Sequence, residues 1–539
     1  MANKGHLTLP VDTVSLAGNT EAQSTFATST LVTDVEKAPR SKQATRGTGY
    51  RSIYGSAIGT SCSRTGAGAG VVLEAKAQLL NQALLDIGMG RYQWFLFIIT
   101  SVGWFLDSFW IASFTVINPA ASDEAMFFFS KDKAAYLLVS LYVGLTVGSA
   151  AWPWMSDTLG RKWIFTSTVV LMGMMGGLVG AGMPPFTGLC VVGCVVGIAI
   201  GGNQLISGII LVEMLPRMFW GLGQLVSYAV GWAFIAEYTC GTGPDKVSTE
   251  QALGHSKRAG SGGSSCHYVS NKGWRYAWWT FGCITLFLYL CRFFFPLRET
   301  PKHLLARRRD AEATQIVKDI AAYNKRQTWL TEASFAPLVS SLGPSGLPAL
   351  LLLWIAAGLT FILHKTYISN YQASHGVPAV TPESVSTDYL FSRYLYVAIC
   401  AIPGPISAAL LMEAKGLGRK RTGAIVALLT GLFMLLATVA GSRDAALAFT
   451  CIVSFLEYAG LAVLSTYTLE ILPAPVRGSG LAVMGFSWGL FGLVSQIISV
   501  YAGSTVAGGG PAWFCGAFWI AMVGAWLVLP LETCGKAAA

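Results

Sequence analysis

The sequence predicts an all-α membrane protein of twelve transmembrane helices arranged as two six-helix pseudo-repeats, and three observations carry that prediction. First, the chain has 539 residues of which 53% are hydrophobic and only 12% charged, whereas a soluble domain of this length needs far more charged surface. Second, a helix crosses the hydrocarbon core with about 20 mainly apolar residues, and such segments recur from Gln93 to Leu531. Third, two unrelated motifs repeat at one offset. Gly160-Arg161-Lys162 returns 258 residues later as Gly418-Arg419-Lys420, and Glu213 with Pro216 returns 257 residues later as Glu470 with Pro473. Parallel repeats with a site between them near the midplane are a transporter architecture.

Residues 1–90 are rich in Ser, Thr, Ala and Gly and hold no apolar segment of the signal-peptide kind, so they are predicted to form a disordered cytosolic tail. The apolar segments then fall at roughly 93–117, 133–155, 163–182, 186–212, 218–238 and 274–297, and after a long connection at 348–369, 390–413, 422–441, 445–469, 478–503 and 511–531. This divides the chain into a first half (91–297), a linker (298–347), a second half (348–532) and a short cytosolic tail (533–539). Within the linker, Asp310 is placed to cap a helix whose residues Ala313, Ile316, Val317, Ile320 and Ala321 share one face. With Arg307, Arg308 and Arg309 near anionic headgroups, that helix is predicted to lie along the inner membrane surface, a solvated linker helix being the alternative.

The formal charge of +10 points to a nucleic acid only if it is clustered, and it is not. Of the 37 Lys and Arg, 9 lie in the first 92 residues and 17 in alternate loops and the C-terminal tail, against 7 on the opposite side. That asymmetry places both termini and the linker in the cytosol; the protein is expected in the plasma membrane or a vacuolar or other internal membrane, with lipid and a small solute as partners, nucleic acid excluded and oligomeric state unassigned. Most of the 11 cysteines sit in spans, where a thiol behaves as a small hydrophobe. Cys240 and Cys266 share the outer loop 239–273 and form a candidate disulfide.

A tight loop bearing Gly, Arg and Lys between two spans is explained by backbone permissiveness and headgroup charge. Asp157 is not. An acid there can face the positive end of a neighbouring helix and be held by a cation, making a latch that exists in one conformation, although an ordinary solvated loop acid fits the bare spacing as well. At this point the chain resembles the major facilitator superfamily: "SDTLGRKW" (156–163) is similar to its signature loop between the second and third helices and "KGLGRKR" (415–421) to the second-half echo. "RETPKHLLARRRDAEA", "LEILPAPVRGSG" and "LPLETCGK" resemble the sugar and organic-ion porter branch. "IGMGRYQWFLF" and "NKGWRYAWWTFG" resemble a fungal-type group near the synaptic-vesicle-glycoprotein-like transporters.

The resemblance implies a conformational latch at Asp157, Gly160, Arg161 and Lys162, with Glu213, Arg419, Lys420, Glu470 and Arg477 completing the candidate set. Pro153 stands where the family has a leading glycine, Thr158 where it has a basic residue, and Lys415 at the place of the second acid. Between "EMLP" and "WGLGQ" the chain has only Arg217, Met218 and Phe219, shorter than the family pattern, which predicts a truncated start to the fifth helix.

Ionisable groups at membrane depth are costly and by default mark function. Asp107 lies near the middle of the first span and Glu457 near the middle of the tenth; Lys365 lies toward the outer end of the seventh and Arg393 begins the eighth. The two cations can anchor at the interface by snorkelling. The two acids are either buried structural partners or protonatable, substrate-pairing groups, because burial disfavours a charged carboxylate and a neighbouring cation favours it. Asn203, Gln204 and Gln496 add amide hydrogen bonding at depth, and Trp104, Trp110, Tyr228, Trp232 and Trp488 are candidate walls for an organic ligand, with ordinary packing as the alternative. "GFSWG" (485–489) matches a nucleophile-elbow pattern but lies in a membrane span without the strand-turn-helix context that chemistry needs. With no HExxH and no Walker A sequence, no metal, cofactor or enzymatic activity is expected. The reading is a secondary transporter of a small organic solute (organic ion, carboxylate or sugar-like metabolite) working by alternating access, with a proton as candidate co-substrate. A transporter-like nutrient sensor signalling through its Ser/Thr-rich N-terminal tail is the alternative.

Overall fold

The computed structural model describes residues 69–125, 136–159, 161–179, 186–210, 218–239, 271–291, 294, 298–330, 347–374, 386–414, 416–472, 477–502, 510–529 and 532, all within one compact unit, Ala67–Ala539. Every regular element among them is a helix, as a lipid solvent requires, because an unpaired backbone N–H or C=O in hydrocarbon costs roughly several kcal/mol. Before the first span stands α1 (Ala69–Ile87). The first half comprises α2 (Arg91–Ala125), α3 (Tyr136–Leu159), α4 (Arg161–Gly173), α5 (Phe186–Ile210), α6 (Met218–Tyr238) and α7 (Gly273–Cys291). The linker carries α8 (Pro301–Ala306) and α9 (Asp310–Tyr323). The second half comprises α10 (Leu347–Ser374), α11 (Thr387–Ala401) continued by α12 (Pro403–Glu413), α13 (Gly418–Ala437), α14 (Arg443–Ile471), α15 (Arg477–Ala502) and α16 (Gly510–Val528). Among the described residues ten spans are long and apolar enough to cross a membrane. The remaining two places, third and sixth, are filled by α4 with its π-turn Met174–Val179 and by α7.

The helices approach one another through small residues. A Cβ on Gly144 of α3 would lie 1.9 Å from the Cys194 carbonyl of α5, and one on Gly197 of α5 would lie 2.1 Å from the Leu141 carbonyl of α3. The π-turn that ends α4 places Gly177 against Gly282 of α7, where an added Cβ would be 2.4 Å from the neighbouring Cα. Such close backbone approach is how helices associate where lipid is as apolar as leucine. Side-chain hydroxyls at depth are satisfied along their own helix: Thr100 donates to the Leu96 carbonyl, Ser113 to Phe109, Thr146 to Tyr142 and Thr430 to Val426. The two halves meet along α3 with α15 and α6 with α11.

At the linker end of the bundle the structure departs from the sequence expectation in three respects. The stretch read as a continuous tail ends in helix α1, which packs on α8 and α9 through Leu80, Ala83, Ile87, Leu304, Leu305, Ala313, Val317, Ala321 and Leu330. Consequently the apolar face of α9 is covered by protein, with Ile320 turned into the main core. Nor is Asp310 the cap: it is the first helical residue, after Arg309, and pairs with Lys76 of α1. Further bonds tie this small core to the first span. Asn324 accepts from the Tyr92 N–H at 3.0 Å and donates to Gln93 Oε1 at 2.7 Å, and Trp329 Nε1 donates to Asp86 at 2.8 Å.

The glycine contacts give a paired prediction. Gly282→Leu is expected to force α4 and α7 apart and cost about 1–3 kcal/mol, whereas Gly524→Leu, at a position with nothing within 4 Å, is expected to be neutral. Melting temperatures of the two purified variants check it, and equal values would count against the packing described.

Candidate functional site

Two sets of polar groups interrupt the apolar body, one at the linker end and one at mid-depth. At the linker end the same device is built twice. Glu299, just after the sixth span, accepts from the backbone N–H groups of Arg161 (3.1 Å) and Lys162 (3.3 Å) at the start of α4. Glu532, just after the twelfth, accepts from those of Arg419 (2.8 Å) and Lys420 (3.2 Å) at the start of α13. A helix start presents unpaired donors and partial positive charge, so a carboxylate is stabilising there. The arginine side chains then reach outward from the cap. Arg161 donates to Thr300 Oγ1 at 3.2 Å, and Arg419 donates from Nε and Nη2 to the two Glu470 oxygens at 3.2 and 3.0 Å, with Glu413 at 2.9 Å and the Met412 carbonyl at 3.3 Å. Gly418 has φ +67 and an added Cβ would meet the Glu532 carboxylate at 2.7 Å, so glycine is required there for both conformation and space.

Of the sequence-predicted latch residues, the structure therefore brings together Arg419 and Glu470. It uses Lys162 and Lys420 through their backbone N–H groups. Gly160, Glu213 and Lys415 lie outside the described residues, as do Cys240 and Cys266; Asp157 closes α3 and Arg477 opens α15, and their side chains are outside the description. Glu299 and Glu532 were missed, although the signal was present as "PLRET" (296–300) and "PLET" (530–533), a third pair in the internal repeat.

At mid-depth each half holds one buried acid. Asp107 of α2 is fully buried, and Asn203 of α5 donates from one amide nitrogen to Asp107 Oδ1 at 2.7 Å and to the Gly103 carbonyl at 2.9 Å. Glu457 of α14 is also fully buried and lies 3.8 Å from the Lys365 ammonium of α10. That ammonium stands 4.1 Å over the Phe361 ring and 5.0 Å from that of Tyr458, within the range of a favourable cation–π contact. Lys365 is therefore not an interfacial anchor. His364 beside it is buried, and neither of its ring nitrogens has a hydrogen-bond partner among the described residues. Arg393 is half-buried on α11, next to Tyr394, which stacks on Tyr228 of α6 at 5.1 Å. Gln496 is buried on α15 beside Ser495, whose hydroxyl donates to the Leu359 carbonyl at 2.6 Å.

A cavity of about 30 Å³ lies where the halves meet, lined by Trp104 and Gln204 from the first half and by Trp354, Ser465, Leu469 and Trp488 among others from the second. This is room for a few waters. Leu205, Leu469 and Leu481 of its lining join Leu472 in a buried apolar cluster. Three of the five aromatics proposed as ligand walls do other work. Trp110 is internal to the first half, donating to Thr285 Oγ1 at 3.1 Å and packing on Phe114, Trp278 and Phe281. Trp232 donates to Asp388 Oδ1 across the two halves at 2.7 Å, and Tyr228 makes the stack on Tyr394. Trp354 was missed, yet Trp354, Gly358, Phe361 and Lys365 recur at the four-three-four spacing of one helix face.

The Arg419 cluster yields a prediction. Arg419→Gln leaves the nearly buried Glu470 without its guanidinium, and the penalty of about 3–5 kcal/mol for breaking such a pair is expected to be partly recovered in Arg419→Gln with Glu470→Gln. A double-mutant cycle on thermal stability measures this, and simple additivity would remove the pair as a structural unit.

Residues 93–496 match the family model described as Major Facilitator Superfamily. Among curated proteins, the chain is 30% identical over 512 residues to the MFS siderochrome iron transporter 1 of Ceriporiopsis subvermispora (strain B), covering 86% of this chain and 92% of that protein. It is 28% identical over 518 residues to an uncharacterized MFS-type transporter of Schizosaccharomyces pombe, covering 86% and 89%. Among solved structures, the proton:xylose symporter XylE bound to 6-bromo-6-deoxy-D-glucose superposes with a TM-score of 0.59 at 17% identity, over 83% of this chain and 98% of that one. With the duplicated six-helix halves, the paired linker-end caps and a family match spanning most of both halves, the chain belongs to the Major Facilitator Superfamily.

Proposed function

We propose that the protein is a secondary transporter that moves a small organic solute between its two halves by alternating access, with a proton as co-substrate. The observation that carries the reading is the cavity to which both halves contribute side chains, beside a cluster of four leucines drawn from α5, α14, α15 and the residue after α14. Among the described residues one fully buried acid stands on each half, where charge is costly and tends to be kept for function. A site at the junction of two repeats is where rocking of one half on the other changes access. The relatives are named as transporters, and a siderochrome iron transporter among them is consistent with an organic solute.

In this reading Asp107 carries the proton and Asn203 senses its charge: the amide nitrogen that bonds the carboxylate also bonds the Gly103 carbonyl, so neutralising the acid changes what holds α5 to α2. The linker-end groups Asp157, Gly160, Arg161, Lys162 and Glu213 in one half, and Arg419, Lys420, Glu470 and Arg477 in the other, act as the latch of one conformation. Asp107→Asn keeps an oxygen for Asn203 and removes only the titratable group. Gradient-driven accumulation in proteoliposomes is expected to fall at least tenfold, about 1.4 kcal/mol or more, with melting temperature little changed; Glu457→Gln is expected to reduce accumulation less. Normal accumulation by Asp107→Asn removes that residue from the mechanism, and loss of stability together with transport makes it a structural partner instead.

The positive charge census supports a topology in which both termini and 298–347 are cytosolic. An N-x-[ST] sequon engineered near Ser261 is then expected to be glycosylated in a eukaryotic host, and modification of one near Gln315 would invert the orientation.

A further inference from the structure

One group in the central region is at once charged, accessible and walled by rings. The Lys365 side chain is one-third exposed while Glu457, which it faces, is fully enclosed. Glu457 faces Lys365 from α10, lies beside Tyr458 on its own helix and has Cys515 of α16 within electrostatic reach; neither of its oxygens accepts a hydrogen bond among the described residues. The separation of 3.8 Å is an ion pair longer than a direct hydrogen bond, which leaves the ammonium protons available to another acceptor. Around that ammonium stand Phe361 and Tyr458, edge-on to each other at 5.8 Å, and Trp488 lies 5.6 Å from Phe361 and 6.1 Å from Trp354. Trp354 and Trp488 also line the cavity. The same face of α10 therefore runs from the cavity wall to the ammonium.

An entering solute meets a cation in front, an acid behind it and flat apolar rings at the sides. An organic cation would be repelled by the exposed ammonium. A sugar would find few hydrogen-bonding groups on these rings. An anion that carries its own ring matches both features, since an ammonium pairs with a carboxylate and aromatic rings pack edge-on or offset with a gain of about 0.5–1.5 kcal/mol. We infer that the transported solute is an aromatic carboxylate, its carboxylate bound by Lys365 and its ring by Phe361, Tyr458 and Trp488. Glu457 is the resident counter-ion that holds the ammonium in place when the site is empty. This assignment rests on the transport reading above and names its substrate class.

The test uses the full-length protein in lipid nanodiscs, followed by intrinsic tryptophan fluorescence, with benzoate, benzamide, cyclohexanecarboxylate and benzylammonium as probes. Benzoate is expected to bind about tenfold or more tighter than each of the other three, the margin of one charge-assisted contact or one ring contact. Because Lys365→Gln alone leaves a buried acid unpaired, the decisive variant is Lys365→Gln with Glu457→Gln, which removes both charges together; its melting temperature reports folding. In that variant benzoate and benzamide are expected to bind equally, while Glu457→Gln alone keeps the carboxylate preference. No binding of benzoate, equal binding of benzoate and benzamide by the parent, or a carboxylate preference surviving in the double variant would each overturn the assignment. Uptake of a cell-extract metabolite by proteoliposomes separates the two claims: uptake that benzoate does not compete sinks the anion site and leaves transport standing, and absence of any uptake removes the transport reading itself.

Discussion

Charge in hydrocarbon must be paired or placed at an end, and the architecture follows from how few ways this chain has to do so. Asp107 is bonded to Asn203, Glu457 faces Lys365, and Arg419 is held between Glu470, Glu413 and a backbone carbonyl. Glu299 and Glu532 sit on helix starts, where four N–H groups lack partners. Each of these contacts joins elements of one half: α2 to α5, α10 to α14, α13 to α12 and α14, and the segment after the last span of each half to the third helix of that half. Removing one partner leaves an uncompensated group in low dielectric, so the contacts act as fixed pins.

Between the halves the chemistry is different. Among the described residues the cross-half contacts are ring stacking of Tyr228 on Tyr394, the Trp232 hydrogen bond to Asp388, and glycines that seat side chains of the other half, such as Gly485 against Leu205 and Gly489 against Thr146. None is an ion pair. Two bodies pinned internally by charge and joined by apolar and small-residue surfaces can shift relative to each other at lower cost than either can deform, because packed interiors are bistable rather than continuously deformable. The linker adds a constraint on one side. Glu299 caps α4 while Asn324 and Trp329 hold the start of α2 and the end of α1, so α1 and the linker helices are bonded to the first half.

The twelve spans and the duplication were legible because hydrophobic length and motif spacing are local properties. Boundaries were less so: the first helix runs on through Pro119 to Ala125, and the sixth ends at Cys291, since proline is tolerated in membrane helices and hydropathy does not mark where a helix breaks. The π-turn at Met174–Val179 had no sequence signature of its own, although Gly177 has its physical reason in the contact with Gly282. In the same way Asp107, Asn203, Lys365 and Glu457 were each visible as polar residues in apolar runs. Their pairing was not, because it is set by which helices are neighbours, and Lys365 could be read equally as a snorkelling anchor until α14 was placed beside it. The carboxylate caps were missed for a simpler reason: an acid just outside a span looks like ordinary headgroup chemistry unless the two copies are aligned.

The alignment of the copies also pairs equivalent contacts. In the second half Gly358 of α10 lies against Trp488 of α15. In the first half Gly223 of α6 lies against Phe105 and Ser108 of α2; residues 211–217, where the shortened connection falls, lie outside the described residues. Bulky residues occupy the first turn of α6, Phe219 against Phe97 and Trp220 against Trp104, and the Trp220 carbonyl accepts from Ser108 at 2.6 Å. The start of α6 as described is thus packed by rings against α2. In the second half Arg419 bridges Glu470 and Glu413 at the linker end, so a motion of one half on the other works against ring packing at the start of α6 and against a charged cluster at the start of α13.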